Sequence, residues 1–338
     1  MKSQKFFIII LSIGLLFALT ACGGGQAGTK GGNYSVDEII ISHVAPENTA
    51  KHVGALALKE KIEKASNGEI KVKLYSNSSL YNDKNEFENL VANNVQFILP
   101  DMSKLVKYEP AFDLASLPLA FSSDEAAEGF WDGENGQKIM KSIEKEGVKA
   151  LTMWPNGFRV ITNNKRPIHS PEDYKGLKIR TSSGEVLADV FKTLDAGTVS
   201  IAFNEVYTAL QQGTIDGQEN TLSSVASANF DEVQDFLTIN NFSRVDYVLL
   251  TNSKFWDSLD EKTQKVVQEG IDEGTKTARA EVQRLNEEGL KKMKDRGEIE
   301  IHEFSQSDIE KFRKLFQPIY DKYTPIFGEE VVKDAMSR

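Results

Sequence analysis

Arg180 closes a short strand-like run, residues 177–180, and Ser182-x-x-Glu185 follows at once with the spacing of a capping box, so a helix is predicted to start there. A strand end facing a helix N-terminus is where α/β sheets bind ligands. Free backbone N–H groups and the positive end of the helix dipole favour an anion. The planar guanidinium of Arg180 matches a carboxylate with two parallel hydrogen bonds. Spacing alone leaves a second reading open, in which Arg180 pairs on the surface with Glu172, Asp173 or Glu185. Arg159 ends the stretch Trp154-Pro155-Asn156-Gly157-Phe158-Arg159, where Pro155 and Gly157 suit a turn between domains. There it either faces a cleft or is salt-bridged at the surface. Asn220 ends a polar run with an Asp216-Gly217 turn signal, and it is either a ligand-facing amide or an N-cap for a helix at 221–228. Phe203, just before Asn204, reads locally as a hydrophobic staple.

Other chemistry is poorly represented. The chain lacks Gly-x-Ser-x-Gly, the Walker pattern and Gly-x-Gly-x-x-Gly. Four scattered histidines and a single cysteine form no metal-ligand spacing, and no metal or cofactor is expected. Asp132-Gly-Glu134-Asn-Gly136 imitates a calcium loop, but Ile143 stands where the bidentate glutamate belongs. An enzyme, such as an anchored hydrolase, is therefore disfavoured. Acidic residues outnumber basic ones 50 to 40, which disfavours a nucleic-acid partner.

The elements that must hold these residues read as α/β. At 338 residues the chain is long enough for two domains. Strand-like runs at 38–44, 69–75, 95–99 and 148–153 alternate with helical patterns at 50–66, 83–93 and 125–145, implying a parallel or mixed sheet. The order restarts after Arg159, with strands at 160–162, 177–180 and 244–251 and helices at 184–193, 205–212 and 221–228. A long helix is predicted over 260–295, capped by Ser258-x-x-Glu261, with Val267, Ile271, Gly274, Ala278, Val282, Leu285, Gly289 and Met293 on one stripe. At roughly 54 Å it exceeds one domain and is expected to lie across both, its glycines admitting another backbone; a surface helix kinked at Gly270 or Gly274 is the other reading. A strand at 298–302 and a helix at 308–323 close the chain.

Lys2 and Lys5 precede an uncharged apolar run of fourteen residues, 6–19, too short at about 21 Å for a bilayer core and suited to an export signal. The run ends in Leu19-Thr20-Ala21-Cys22, which resembles the bacterial lipobox. That resemblance implies cleavage of residues 1–21 and a lipid on Cys22, with the Gly-rich stretch 22–34 as a tether. The body would then be held to the outer face of the membrane by lipid alone.

The segment Ile201-Ala-Phe203-Asn-Glu205-Val-Tyr207-Thr-Ala-Leu210-Gln-Gln-Gly213-Thr-Ile-Asp216-Gly217-Gln218-Glu219-Asn220, with Leu177-Lys-Ile-Arg180 and Asn156-Gly-Phe-Arg159 before it, resembles the DctP-type solute-binding subunit of the tripartite ATP-independent periplasmic (TRAP) transporters. The resemblance covers the chain from about Ser35. It implies a two-domain periplasmic-binding-protein-like fold spanned by the long helix, with 35–156 plus 246–285 as domain I and 157–245 plus 286–338 as domain II. It implies Arg180 as the carboxylate clamp, Arg159 as a second cation, Asn220 beside the carboxylate and Phe203 lining the pocket. Asp101, Lys104 and His43 with Val44 fall at its selectivity positions. It also implies a small carboxylate ligand, a membrane permease as partner, hinge closure and a monomer, although the long helix is compatible with a dimer. The same cleft would serve a lipid-anchored organic-acid sensor. Asn220-Thr221 departs from the usual Asn-Pro, and Gln96-Phe-Ile-Leu-Pro-Asp101 from the commoner small-residue pattern, so the ligand's far end is open. Sugar acids or hydroxy acids are favoured slightly over C4-dicarboxylates, because Asn220, Asp101 and Lys104 offer partners for hydroxyls.

Overall fold

Alternating Ile- and Val-rich runs and helical patterns become a mixed α/β architecture, in a computed structural model that describes residues 33–338. The strands are β1 (Glu38–Ser42), β2 (Lys71–Tyr75), β3 (Phe97–Ile98), β4 (Val148–Phe158), β5 (Val160–Asn163), β6 (Lys178–Thr181), β7 (Gly197–Ser200), β8 (Gly217–Asn220), β9 (Phe236–Ile239), β10 (Arg244–Asn252) and β11 (Glu300–Glu303). The helices are α1 (Ala50–Ala65), α2 (Glu86–Val91), α3 (Asp124–Asp132), α4 (Glu134–Ser142), α5 (Glu185–Thr193), α6 (Val206–Gln211), α7 (Leu222–Ser227), α8 (Ser253–Ser258), α9 (Glu261–Arg296), α10 (Gln306–Arg313), α11 (Gln317–Phe327) and α12 (Glu329–Met336).

The strands form two sheets, ordered β2-β1-β3-β10-β4 and β11-β9-β5-β8-β6-β7. In the first, β1 is parallel to β2 and β3, and β10 is antiparallel to β3 and β4. In the second, β6 is parallel to β7 and β8, and β5 is antiparallel to β8 and β9. Each sheet anchors one lobe. The chain crosses from β4 into β5 at Arg159 and returns through 240–243 into β10. The Arg159 amide donates to Ser243 O at 2.8 Å, so the two crossings lie side by side.

The third link is α9. All eight residues of its predicted stripe are buried. A Cβ on Gly274 would lie 2.8 Å from Gly54 O of α1, and one on Gly289 would lie 2.8 Å from Leu222 O of α7. The glycines thus let α9 touch backbone in both lobes, and the helix runs unbroken through Gly270 and Gly274. Its cap is not the predicted Ser258. Asp260 accepts from Thr263 N at 2.7 Å, while Ser258 Oγ is used to end α8 by donating to Phe255 O.

Other boundaries shift for local reasons. The helix expected over 125–145 breaks at Gly133, and the chain doubles back so tightly that a Cβ on Gly136 would lie 2.4 Å from Trp131 Cα. The helix expected over 308–323 divides into α10 and α11 because Pro318 lacks the N–H to continue a helix and instead starts one. The run 213–220, read as turn, contains strand β8. Its Gly217 is required there, since a Cβ would sit 2.0 Å from Thr162 O.

Candidate functional site

The parallel strands of both sheets end around one cavity. After β1 come Val44, Ala45 and, on α1, Lys51. After β2 come Asp83 and Glu86, and after β3 Asp101 and Lys104. From the other lobe come Arg180 of β6 and Ser182 after it, Phe203 after β7, Asn220 at the end of β8 and Ser224 on α7, with Tyr247 and Val245 of β10 and Arg159 between the lobes. This is the position at which open α/β sheets bind ligands.

Arg180 is 1% exposed. Its Nε and Nη2 donate to Ile201 O at 3.0 and 2.8 Å. Among the described residues it has no ion pair. Burial pulls its pKa down, against the pull of Glu219, Asp83 and Asp101, yet a guanidinium stays charged. The surface pairings with Glu172, Asp173 or Glu185 do not form. The capping box also fails: Gly184 is the N-cap, with φ +91°, and Asp113 Oδ2, from the turn Pro110–Ser116, accepts from Val186 N at 3.0 Å. The start of α5 is therefore closed by a carboxylate brought from far along the chain.

Arg159 is buried and already paired. Its Nη1 binds Glu219 Oε2, its Nη2 lies 3.6 Å from Asp101 Oδ2, and its Nε donates to Arg244 O at 2.9 Å. Burial works against its charge, but Glu219 and Asp101 outweigh that and raise its pKa. Glu219 Oε1 also accepts from Ser182 N at 2.9 Å, so one carboxylate fixes both the arginine and the end of β6. Arg159 lines the cavity with its charge largely answered by the protein.

Asp101 and Lys104 also line the cavity and are also engaged. Asp101 Oδ1 accepts from Ser103 N at 2.9 Å, and Arg159 holds its carboxyl below the ordinary range against the opposing effect of burial. Lys104 Nζ lies 3.0 Å from Asp83 Oδ2 and donates to Ser182 O at 2.5 Å. That contact and Lys84–Glu205, at 3.1 Å, tie the lobes together across the cleft. Phe203 and Asn220 line the cavity as expected. Phe203 begins a 3-10 turn, and Asn204 caps nothing. Asn220 is not the N-cap of α7, which is Thr221. Its Oδ1 accepts from Thr221 N at 3.0 Å, leaving its amide nitrogen without an acceptor among the described residues. His43 is the exception: it is fully buried behind Val44, with Nε2 3.2 Å from His52 Nδ1, and it does not line the cavity. Burial holds its pKa well below the usual value, so it contributes no cation.

Sequence reasoning missed Lys51, Asp83, Glu86, Glu219 and Tyr247. The topology carried the signal for the first three, because each follows a strand end in a β-α-β unit; Glu219 sat in a run read as turn.

Among the described residues no group of three or more His, Cys, Asp or Glu is placed to hold a metal ion, and no helix is long and apolar enough to cross a membrane. Cys22 and the signal and tether segments up to residue 32 lie outside the described residues.

The model of bacterial extracellular solute-binding protein family 7, DctP, matches residues 41–325. The C4-dicarboxylate-binding protein DctB of Bacillus subtilis is 34% identical over 302 residues, 89% of this chain and 86% of that one. A TRAP periplasmic solute-binding protein from Shewanella oneidensis, solved with bound succinate, superimposes with a TM-score of 0.86 at 34% identity, covering 89% of this chain and 98% of that one. The sugar-acid-binding protein DctPAm from Advenella mimigardefordensis, solved with galactonate, gives 0.85 at 29% identity, covering 89% and 96%. The two-sheet α/β fold is therefore shared with a family of transport solute-binding proteins: this chain is a member of the DctP family of TRAP solute-binding proteins.

Proposed function

We propose that this receptor captures a C4-dicarboxylate, with succinate as the reference ligand, between its two lobes and presents it to a TRAP membrane permease. The observation that carries the reading is Arg180: a permanently charged group, buried at the cavity wall, with no carboxylate within ion-pair distance among the described residues. Burying an unpaired ion is costly, and a ligand carboxylate removes the cost. The slight preference for sugar acids rested on Asn220, Asp101 and Lys104 as hydroxyl partners. Two of the three, Asp101 and Lys104, are engaged by Arg159, Ser103, Asp83 and Ser182, which leaves the Asn220 amide nitrogen as the one free partner of that set among the described residues and moves the balance toward a dicarboxylate. The B. subtilis relative named for C4-dicarboxylates and the S. oneidensis structure with succinate support the same choice.

Hinge motion at the crossings near Arg159 and Ser243 would open the cleft by releasing Lys104 from Ser182 and Lys84 from Glu205. The division into 35–156 plus 246–285 and 157–245 plus 286–338 is part of this proposal, as are lipidation at Cys22, an extracytoplasmic membrane-anchored location and a monomeric state. Calorimetric titration with succinate, malate and galactonate tests the reading. Succinate or malate is expected to bind more tightly than galactonate, and the reverse order rejects the dicarboxylate assignment.

A further inference from the structure

The far wall of the cavity holds a second unanswered pair. Lys51 is fully buried in the first turn of α1. Its Nζ donates to Leu99 O at 2.9 Å and sits 3.4 Å from the centre of the Tyr247 ring. Neither contact supplies a negative charge, and the ammonium has donor capacity to spare. Glu86, in the first turn of α2, is 2% exposed. Both of its carboxyl oxygens are buried without a hydrogen-bond partner, and no cation lies within ion-pair distance among the described residues. Both side chains line the cavity that holds Arg180.

A buried carboxylate with no donor is among the costliest arrangements a protein can hold, whereas a carboxylic acid needs only an acceptor. The surroundings favour the acid. From the loop before α2 comes Asp83, a like charge whose other oxygen is held by Lys104; from α2 itself comes Glu88; from α1 comes Lys51, with His43 and His52 behind it; from the turn after β3 come Lys104 and Asp101. Burial pushes the Glu86 carboxyl up, with Lys51 pulling back and Asp83 adding to the rise; burial pulls Lys51 down, with Glu86 opposing.

We propose that Lys51 and Glu86 form the subsite for the ligand's second carboxylate, the Lys51 ammonium answering its charge and Glu86, held as the acid, donating its proton in a hydrogen bond to one carboxylate oxygen. This rests on the dicarboxylate reading above and adds the groups that separate a dicarboxylate from a monocarboxylate. An ionised Glu86 would repel the same ligand, so the proton is the specificity element. No bond is made or broken; the proton stays on Glu86 and is shared with the ligand.

The test uses the full chain, with succinate and with butyrate, which lacks the second carboxylate. Calorimetry on wild type, Lys51→Met, Glu86→Leu and Glu86→Gln gives affinities, and circular dichroism checks folding. Lys51→Met is expected to weaken succinate at least about a hundredfold with little change for butyrate, because a ligand charge is left buried without its partner. Glu86→Leu should weaken succinate about tenfold, and Glu86→Gln, whose amide still donates, should recover most of that loss. Infrared difference spectra of the succinate-loaded protein should show a protonated-carboxyl C=O band in wild type that Glu86→Gln lacks. If Lys51→Met still separates succinate from butyrate, or no such band belongs to Glu86, the subsite is overturned while the dicarboxylate reading stands. If wild type itself does not bind succinate or malate, the dicarboxylate reading falls and the subsite with it.

Discussion

Replacing Arg180 with Met separates a binding group from a structural one. The side chains are similar in length, so the change removes charge and donors while leaving most of the packed volume. In the protein alone Arg180 makes two hydrogen bonds to one acceptor, Ile201 O, and no ion pair among the described residues. Those bonds contribute about 1 kcal/mol each, and losing them is offset by no longer burying an unpaired cation. The stability of the variant without ligand is therefore expected within about 1 kcal/mol of wild type, measured by urea unfolding. Binding is another matter. The ligand carboxylate loses the one guanidinium at the cavity that has no ion pair among the described residues, a loss of about 3–5 kcal/mol, or at least about a hundredfold in Kd. In the same unfolding experiment succinate at about 100 times the wild-type Kd should add about 2.7 kcal/mol to wild type and nothing measurable to the variant. Retention of succinate affinity within about threefold of wild type would refute the clamp. A variant that unfolds by several kcal/mol without ligand would show that Arg180 is part of the scaffold.

Three further outcomes follow from named contacts. Glu219→Gln leaves Arg159 buried with only Asp101, 3.6 Å away, so a destabilisation of about 3 kcal/mol is expected by urea unfolding, with weaker succinate binding as a consequence. Gly274→Val places side-chain atoms against Gly54 O and Leu58 where even a Cβ is too close; a loss of about 1–3 kcal/mol is expected, whereas an exposed glycine on a kinked surface helix would gain stability on the same change. Asp113 is buried, and burial raises its carboxyl to about 7, with Val186 N, Ser116 and Arg159 opposing and Asp101 adding. The folded state then holds that proton more tightly than the unfolded chain does. Its contribution is fully present below the unfolded value of about 4 and is lost as pH rises through about 7, a change on the order of 4 kcal/mol. Asp113→Asn should flatten that part of the stability-against-pH curve, and an unchanged slope between about pH 4 and 7 would reject the assignment.

The position of Arg180 at the cavity wall was legible because a strand end, an arginine and a helix start are adjacent in sequence. The stripe on α9 was legible because a period near 3.6 survives over many turns, and its eight residues are all buried. What escaped reading was whatever depends on residues distant in sequence. Glu219 belongs to a strand of polar residues, Gly-Gln-Glu-Asn, which no hydrophobic alternation marks; two of its side chains find partners from elsewhere, Gln218 Nε2 with Thr162 Oγ1 at 3.0 Å and Glu219 with Arg159 and Ser182. Asp113 caps α5 from a turn more than seventy residues earlier, so the Ser182-x-x-Glu185 spacing imitated a cap that the fold does not use. His43 was placed correctly at a strand end, but alternation along β1 turns it to the far side, against His52, while Val44 faces the cavity.

An acidic chain that captures anions needs its cations sorted, and the cavity shows how. Four cationic side chains line it: Lys51, Lys104, Arg159 and Arg180. Lys104 is answered by Asp83 and holds the lobes through Ser182, and Arg159 is answered by Glu219 and Asp101 where the chain crosses between sheets. These two shape the cleft and offer a ligand little net charge. Arg180 and Lys51 are bonded only to neutral groups, Ile201 O for one, Leu99 O and the Tyr247 ring for the other. They are therefore the two places where an incoming carboxylate gains most. A net charge of −10 spread over the whole surface is screened beyond about 8 Å at physiological salt, whereas a buried cation at contact distance is screened far less. Recognition by two such cations, each unanswered until the cleft holds a ligand, rewards a molecule with two acid groups over one with a single acid group and a hydroxylated tail. Raising the salt should accordingly change affinity only mildly, because the attraction that matters operates where salt does not reach.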